Sequence, residues 1–426
     1  MNEKDIQSKL KDNLHDLYLK QDFNNLLIES KKFIQKYNNN FFGWNFLALA
    51  YKGLENYSDA IKLYEGLLKN NPKQPIILAN LGNLYSILGK TDESIIFYKR
   101  ALKEDPNLVN ACDAIGLAYI NKGELDKALK YHLQAYDIDK KNPRIIYNLA
   151  NTYRKKNMYK DAIKYFEKID FALSKSHLLE CVYLTSDKTD FNKYCSKIIS
   201  EKKISPLISS IISHANIRYN YEFENYFCEN SFDYIEHTNI ISDSKFDQNL
   251  IDDLIGFHKS NNKNYKSQAL LKNGQQSTGN IFDFDIPFIK KTKSLIMNEI
   301  EIYKNNNKDS NCGFIKKWPE KYKLHGWFIS MQKEGHLNAH IHKEGWLSGS
   351  FYLKMPLIRK QNEGNIIFGL HGADYPDDNF EYPEKIIELT EGDICLFPSS
   401  IFHRTLPFES DDERITLAFD IKPISD

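Results

Sequence analysis

Arginine is scarce in this chain of 426 residues: there are seven, and lysine supplies the rest of the 57 basic side chains. Net charge is missing too, because 57 acidic residues balance them, which excludes a broad electrostatic surface for nucleic acid or membrane. No apolar run approaches the roughly 18 residues a membrane helix needs. The opening MNEKDIQSKLKDNLHD is polar throughout and lacks the apolar core of a signal peptide. A cytoplasmic location, with no nucleic acid and no membrane partner, is the expectation. The six cysteines, Cys112, Cys181, Cys195, Cys228, Cys312 and Cys395, include no CxxC pair, so reduced, buried thiols are expected rather than a metal cluster.

What is present is a soluble, globular composition, 42% apolar and 27% charged, in a chain long enough for two or three domains. The first half repeats. Small residues recur 34 apart at Ala48, Gly82, Gly116 and Ala150, and again at Ala60, Ser94, Ala128 and Ala162. Tyrosines recur in the same period at Tyr51, Tyr85, Tyr119 and Tyr153, and Pro72 and Pro106 close the first two units. These positions resemble the tetratricopeptide repeat, two antiparallel helices per unit stacked on one continuous core. The small residue lets the second helix approach, and the tyrosine is expected to fill the gap between neighbouring units. The resemblance implies a peptide or protein partner. No residue of this half reads as catalytic, and His132 sits at a core position. The expected organisation is a degenerate helical cap over 1–39, four repeats over 40–172, atypical helices over 173–230 and a second domain over 231–426.

In that second domain the period changes. KFDQNLIDDLIGFHK and PFIKKTKSLIMNEIEIYK read as helices, with the polar NGQQSTGN between them. From Lys323 onward KLHGWFISMQ, NAHIH, GSFYLKMP, NIIFGL, IIELTEGDICLFP, HRTLPF and RITLAFDIK all read as strands. Helices followed by strands predict a β-sandwich or barrel backed by helices. His340 and His342 are two apart, so on a strand both imidazoles share one face, and His403 follows at a distance. Three such imidazoles are a metal-ligand set. Arg414 follows on the strand RITLAF, and Thr416 shares its face.

The pattern His340-Ile-His342, Trp346-Leu-Ser-Gly349, Phe351-Tyr352-Leu353, Gly392-Asp393, Leu396-Phe397-Pro398-Ser399, His403 and Glu413-Arg414 resembles a 2-oxoglutarate/Fe(II)-dependent oxygenase family often found behind tetratricopeptide repeats. The resemblance covers roughly 231–423. It implies a double-stranded β-helix (jelly roll), a dioxygenase or hydroxylase activity, and Fe(II) held by His340, His342 and His403. It further implies 2-oxoglutarate anchored by Arg414 and Thr416, with Tyr352 and Ser348 as further contacts. The usual acid of the HxD/E motif is His342 here, and Glu334 and Glu344 are the carboxylates nearest in sequence. Trp346 reads as packing, Arg404 as pointing away from the metal, and His336 and His371 as loop residues near the mouth. Two rivals remain: a cupin-type metal dioxygenase on the same fold, and a non-catalytic tetratricopeptide interaction protein with a degenerate barrel.

Overall fold

The computed structural model describes residues 3–38, 40–185, 187–242, 246–247, 249–260, 265–266, 268–357, 360–372 and 374–424. The chain forms two compact units, Met1–Ile169 and Asp170–Asp426.

The first unit is five helical hairpins: α1 (Glu3–Leu19) with α2 (Phe23–Lys36), α3 (Phe41–Gly53) with α4 (Tyr57–Asn70), α5 (Pro75–Ile87) with α6 (Thr91–Glu104), α7 (Val109–Asn121) with α8 (Leu125–Ile138), and α9 (Pro143–Lys155) with α10 (Tyr159–Phe166). Their turns explain the spacing. Gln21, Glu55, Gly89, Gly123 and Asn157 all have positive φ, between 56° and 74°, and stand 34 residues apart. At each, the next backbone N–H returns to a carbonyl five residues back, as in Asn56 to Tyr51 and Lys90 to Tyr85, which satisfies a helix-end acceptor. The turn at Gln21 puts the first hairpin, which reads as off-phase, in step with the others.

The small residues are required by ring contacts. A Cβ on Gly82 would lie 2.7 Å from the Tyr98 ring, and one on Gly116 would strike the His132 imidazole. Tyr64, Tyr98, His132 and Phe166 share the 34-residue phase and are buried, so His132 holds an aromatic core position. The tyrosine series also packs within each hairpin. Tyr85 stacks on Phe97 at 5.2 Å, Tyr119 on Tyr131 at 5.9 Å and Tyr153 on Tyr165 at 5.6 Å, each on the second helix of its own hairpin. Neighbouring hairpins are tied by side-chain bonds between first helices, Asn80 to Asn45 at 3.0 Å and Asn148 to Asp113 at 2.8 Å, and Tyr119 also reaches across, its hydroxyl accepting from Lys99 of the preceding hairpin at 3.0 Å.

The second unit opens with three helices, α11 (Ala172–Thr185), α12 (Lys188–Ser200) and α13 (Pro206–Tyr219), followed by α14 (Asn249–Ser260) and α15 (Pro287–Asn306). Pro206 and Pro287 each stand in the first turn, where proline's missing N–H costs nothing. The start expected for the α14 helix includes Lys245 and Gln248, which lie outside the described residues. The strands are β1 (Glu236–Asn239), β2 (Tyr265–Lys266), β3 (Leu271–Ser277), β4 (Tyr322–Leu337), β5 (Leu347–Lys354), β6 (Ile366–Gly369), β7 (Glu384–Ile387), β8 (Asp393–Pro398), β9 (Phe402–Thr405) and β10 (Arg414–Pro423). The polar NGQQSTGN segment thus contributes most of a strand, β3.

Among the described residues ten strands form two sheets, ordered β1-β8-β5-β10-β4-β3-β2 and β7-β6-β9. On β10, Ile415, Leu417, Phe419 and Ile421 alternate into the core beneath α14 and α15, while Arg414, Thr416 and Ala418 face a cavity. Phe368 of the small sheet meets Phe397 of the large one at 4.8 Å. The double-stranded β-helix implied by the resemblance needs correction. Among the described residues the two sheets share no ladder, and each ends in open edges, so they do not close into a barrel. NAHIH, expected as a strand, makes a single bridge, His340 to His403, and no ladder. A barrel gives every strand two hydrogen-bonded neighbours, and here β1, β2, β7 and β9 each have one.

Candidate metal centre

The backbone places the three histidines before any ligand is considered. His340 N–H donates to His403 O at 3.1 Å and His403 N–H returns to His340 O at 3.0 Å. His342 N–H donates to Ser399 O at 3.1 Å. The two histidines of NAHIH therefore meet without a strand ladder: their Nε2 atoms lie 3.2 Å apart. One ring nitrogen from each of His340, His342 and His403 falls within 4.8 Å of the others.

Each Nδ1 has an oxygen partner. His340 Nδ1 lies 2.9 Å from Asn338 O, His403 Nδ1 lies 3.3 Å from Ile401 O, and His342 Nδ1 lies 2.5 Å from Asp420 Oδ1. An imidazole whose Nδ1–H is committed to oxygen presents a bare lone pair at Nε2, the arrangement a metal-binding histidine requires. Burial, reinforced by His342, pulls His340 down to about 4. Burial, with His340 and His342 adding to it, holds His403 well below the usual histidine range. Both rings are thus neutral at pH 7, and this donor set fits a divalent transition metal.

Asp420 is the residue that sequence reasoning missed. Burial pushes its carboxyl up, but His342 and the Ser348 hydroxyl outweigh that and hold it below the ordinary carboxylate range. Ser348 Oγ donates to Asp420 Oδ1 at 2.7 Å and also lies 3.0 Å from His342 Nδ1. The signal was available: Asp420 has the alternation of Arg414, Thr416 and Ala418. Glu334 and Glu344, the carboxylates nearest in sequence, do not join the group. Glu334 is exposed at a positive φ, and Glu344 faces Lys422.

The histidines line a cavity of about 210 Å³, and Tyr352, Arg414 and Thr416 line it as well. Arg414 is buried, its Nε donating to Gly364 O at 3.1 Å and its Nη1 to Thr416 Oγ1 at 2.9 Å, with the guanidinium 5.1 Å from the Tyr352 ring centre. Ser348 is absent from the lining and acts behind His342. Arg404 turns away to Glu384 at 2.9 Å. Trp346 donates to Phe314 O at 2.9 Å and packs on Phe227. His336 bonds the Glu334 carbonyl, and His371 pairs with His214 at 2.9 Å, so neither enters the group.

Comparison with known proteins divides the chain in the same way. Tetratricopeptide-repeat families match residues 47–108, 111–144 and 143–169. A family described as "Putative 2OG-Fe(II) oxygenase" matches residues 325–420. Similar curated proteins are Tetratricopeptide repeat protein 8 of Caenorhabditis elegans (25% identical, covering 29% of this chain and 23% of that protein) and the anaphase-promoting complex subunit CDC16 of Saccharomyces cerevisiae (24%, 36% and 18%). The photosystem I assembly protein Ycf3 of a Synechococcus strain is 32% identical over 20% of this chain and 52% of its own length. The chain thus spans about a fifth to a half of these relatives. Among solved structures, PilF of Pseudomonas aeruginosa aligns with a TM-score of 0.43 at 12% identity, over 49% of this chain and 97% of that one. PilW, a type IV pilus biogenesis factor, gives 0.42 at 18%, over 50% and 100%.

The N-terminal array is a tetratricopeptide solenoid, a fold that serves protein–protein interaction. The activity expected from the other half is corrected along with its fold. Dioxygenase chemistry, Fe(II) and 2-oxoglutarate were all implied through a barrel that encloses iron and co-substrate, and the open sheets do not form it. The cupin alternative requires the same barrel and is set aside with it. Among the described residues no helix is long and apolar enough to cross a membrane.

Proposed function

We propose that this chain is an interaction protein: the tetratricopeptide array takes a segment of a partner protein, and the second unit carries a three-histidine site for a divalent transition metal. The observation that carries the metal reading is the shared orientation of the ligands, three ring nitrogens within 4.8 Å of one another with every Nδ1 committed to oxygen. His340, His342 and His403 would hold the ion. Such an ion supplies a positive charge and an open coordination position. Asp420 and Ser348 orient His342. Arg414, Thr416 and Tyr352 line the same cavity, where Arg414 offers a cation to an anionic group of the partner.

The array offers exposed apolar side chains on its first helices, including Ile76 at 53% and Leu117 at 39% exposure. A docked peptide would cover them. The test uses the full chain and partners captured by crosslinking in its own cells. Ile76→Asp with Leu117→Asp should release the captured partners and leave Zn(II) binding unchanged by calorimetry. His403→Ala should abolish Zn(II) binding and leave capture intact. Partners retained by the double variant would sink the interaction reading, and undiminished Zn(II) binding by His403→Ala would sink the metal reading.

A further inference from the structure

Away from the histidine cavity, two cysteines 84 residues apart in sequence come together. Cys228 is fully buried and follows Phe227, whose carbonyl anchors the other strand of the contact: Phe314 N–H donates to it at 2.6 Å and Cys312 Sγ lies 3.1 Å away. The Cys312 thiol therefore sits against the peptide group that joins Phe227 to Cys228, which makes the two cysteines neighbours. Cys228 is held in place from behind, its N–H on Asn225 Oδ1 at 3.3 Å. Cys312 is the only half-buried member of the six cysteines, and it lines an open groove of about 690 Å³ with Tyr234 and Ser310. The remaining four, Cys112, Cys181, Cys195 and Cys395, are buried. One thiol therefore faces solvent and its neighbour stands protected behind it, the layout of an attacking and a resolving cysteine.

We propose that Cys312 and Cys228 form a hydroperoxide-sensitive dithiol that closes to an intramolecular disulfide. The Cys312 thiolate attacks the peroxide oxygen, the O–O bond breaks, and with one proton water leaves, giving the Cys312 sulfenic acid. The Cys228 sulfur then attacks the Cys312 sulfur, the S–O bond breaks, and the hydroxide leaves as water with the Cys228 proton. Two thiols lose two electrons and two protons, and hydrogen peroxide is reduced to two waters. The nearness of Cys228 supports the first step, since it lowers the Cys312 thiol to about 6, below the ordinary thiol range, while Cys228 itself is raised by Cys312 and by burial. In the thiol form Cys312 S–H donates to the Phe227 carbonyl. The product would bolt the 227–228 segment to 312–314, the two stretches against which Trp346 packs.

The experiment takes the reduced full chain through a hydrogen peroxide titration with thiol counting and non-reducing peptide mapping. Free thiols should fall from six to four, with one Cys228–Cys312 crosslinked peptide. Cys312→Ser should leave its five thiols unreacted over the same range, and Cys228→Ala should stop at a Cys312 sulfenic acid that dimedone captures. Cys312 should react at least about tenfold faster than Cys112 or Cys395, whose thiols burial pushes up. Absence of the crosslinked peptide in the oxidised wild-type chain, or oxidation of Cys112 or Cys395 ahead of Cys312, overturns the proposal.

Discussion

Asp420 Oδ1 lies 2.5 Å from His342 Nδ1, and the two residues are 78 positions apart in sequence. The acid absent from the HxH pair is thus present one atom layer behind it. Partners of this kind fix a ring's tautomer and raise its basicity, and their loss typically weakens metal affinity by about 10–100-fold. Asp420→Asn should weaken Zn(II) binding by that factor in calorimetric titration. Ser348→Ala, which removes a contact to Asp420 and leaves the carboxylate, should cost less. Equal affinities for wild type and Asp420→Asn would remove Asp420 from the site.

The glycines of the array make a stability prediction. Gly116→Ala drives a methyl group into the buried His132 ring, and Gly82→Ala drives one into Tyr98. Overpacking of this kind costs about 1–3 kcal/mol. Both variants should lower the urea midpoint. At Gly66, where an added Cβ meets nothing within 4 Å, alanine should be neutral or mildly stabilising, because it also improves helix propensity.

Acid should destabilise the second unit through its neutral histidines. Burial, followed by His371 and Arg218, lowers His214 to about 3, and burial with His342 lowers His340 to about 4. Both rings titrate near 6.5 when unfolded, so the unfolded chain binds more protons as pH falls from 6.5 toward those values. Stability is present above pH 6.5 and is lost below it. For His214 the loss between pH 6.5 and 5 is at most roughly 2 kcal/mol. Thermal melts in the presence of a chelator should show Tm falling over this range, and His214→Gln should flatten part of the slope. A flat profile in the wild-type chain would contradict the burial of both rings.

Lys343, one residue past His342, reaches the buried carboxylate of Glu180 on α11 at 2.5 Å. Lys343→Met leaves that carboxylate short of its cation. Loss of one charged partner of a buried carboxylate costs about 1–3 kcal/mol, toward the low end because Lys343 is partly exposed and Glu180 keeps other contacts. The melting temperature should fall, and Glu180→Gln made in the same chain should recover part of the loss. Additive losses in the double variant would mean the pair is not coupled.

The repeat half was largely legible because a period of 34 states the same packing constraint four times over. Gly82 and Gly116 announce the rings that need their space. The first hairpin reads as a degenerate cap because Leu14, Leu17 and Leu26 stand where the next unit has Ala48, Tyr51 and Ala60. In the second unit the alternation on β10 separates Ile415, Leu417 and Phe419 from Arg414 and Thr416, as the sequence predicts. The convergence of His340 and His342 was also readable, although a local loop and not a strand achieves it. What alternation does not encode is closure: a half-buried strand reads the same in an open sheet as in a barrel, because hydrogen-bonded neighbours leave no mark on side-chain pattern. Alternation puts Asp420 on the cavity face of β10 but does not say what it meets there. Its partner is set by the pairing of β10 with β5, which brings it opposite Ser348.

The reciprocal backbone bond between His340 and His403 has a kinetic consequence. Two of the proposed ligands are clamped to each other through their own peptide groups, so the proposed site is preorganised and an ion would not have to gather it. Stripping the metal should leave the amides of His340 and His403 slow to exchange with solvent. Reloading should then be limited by dehydration of the incoming ion rather than by refolding of the chain.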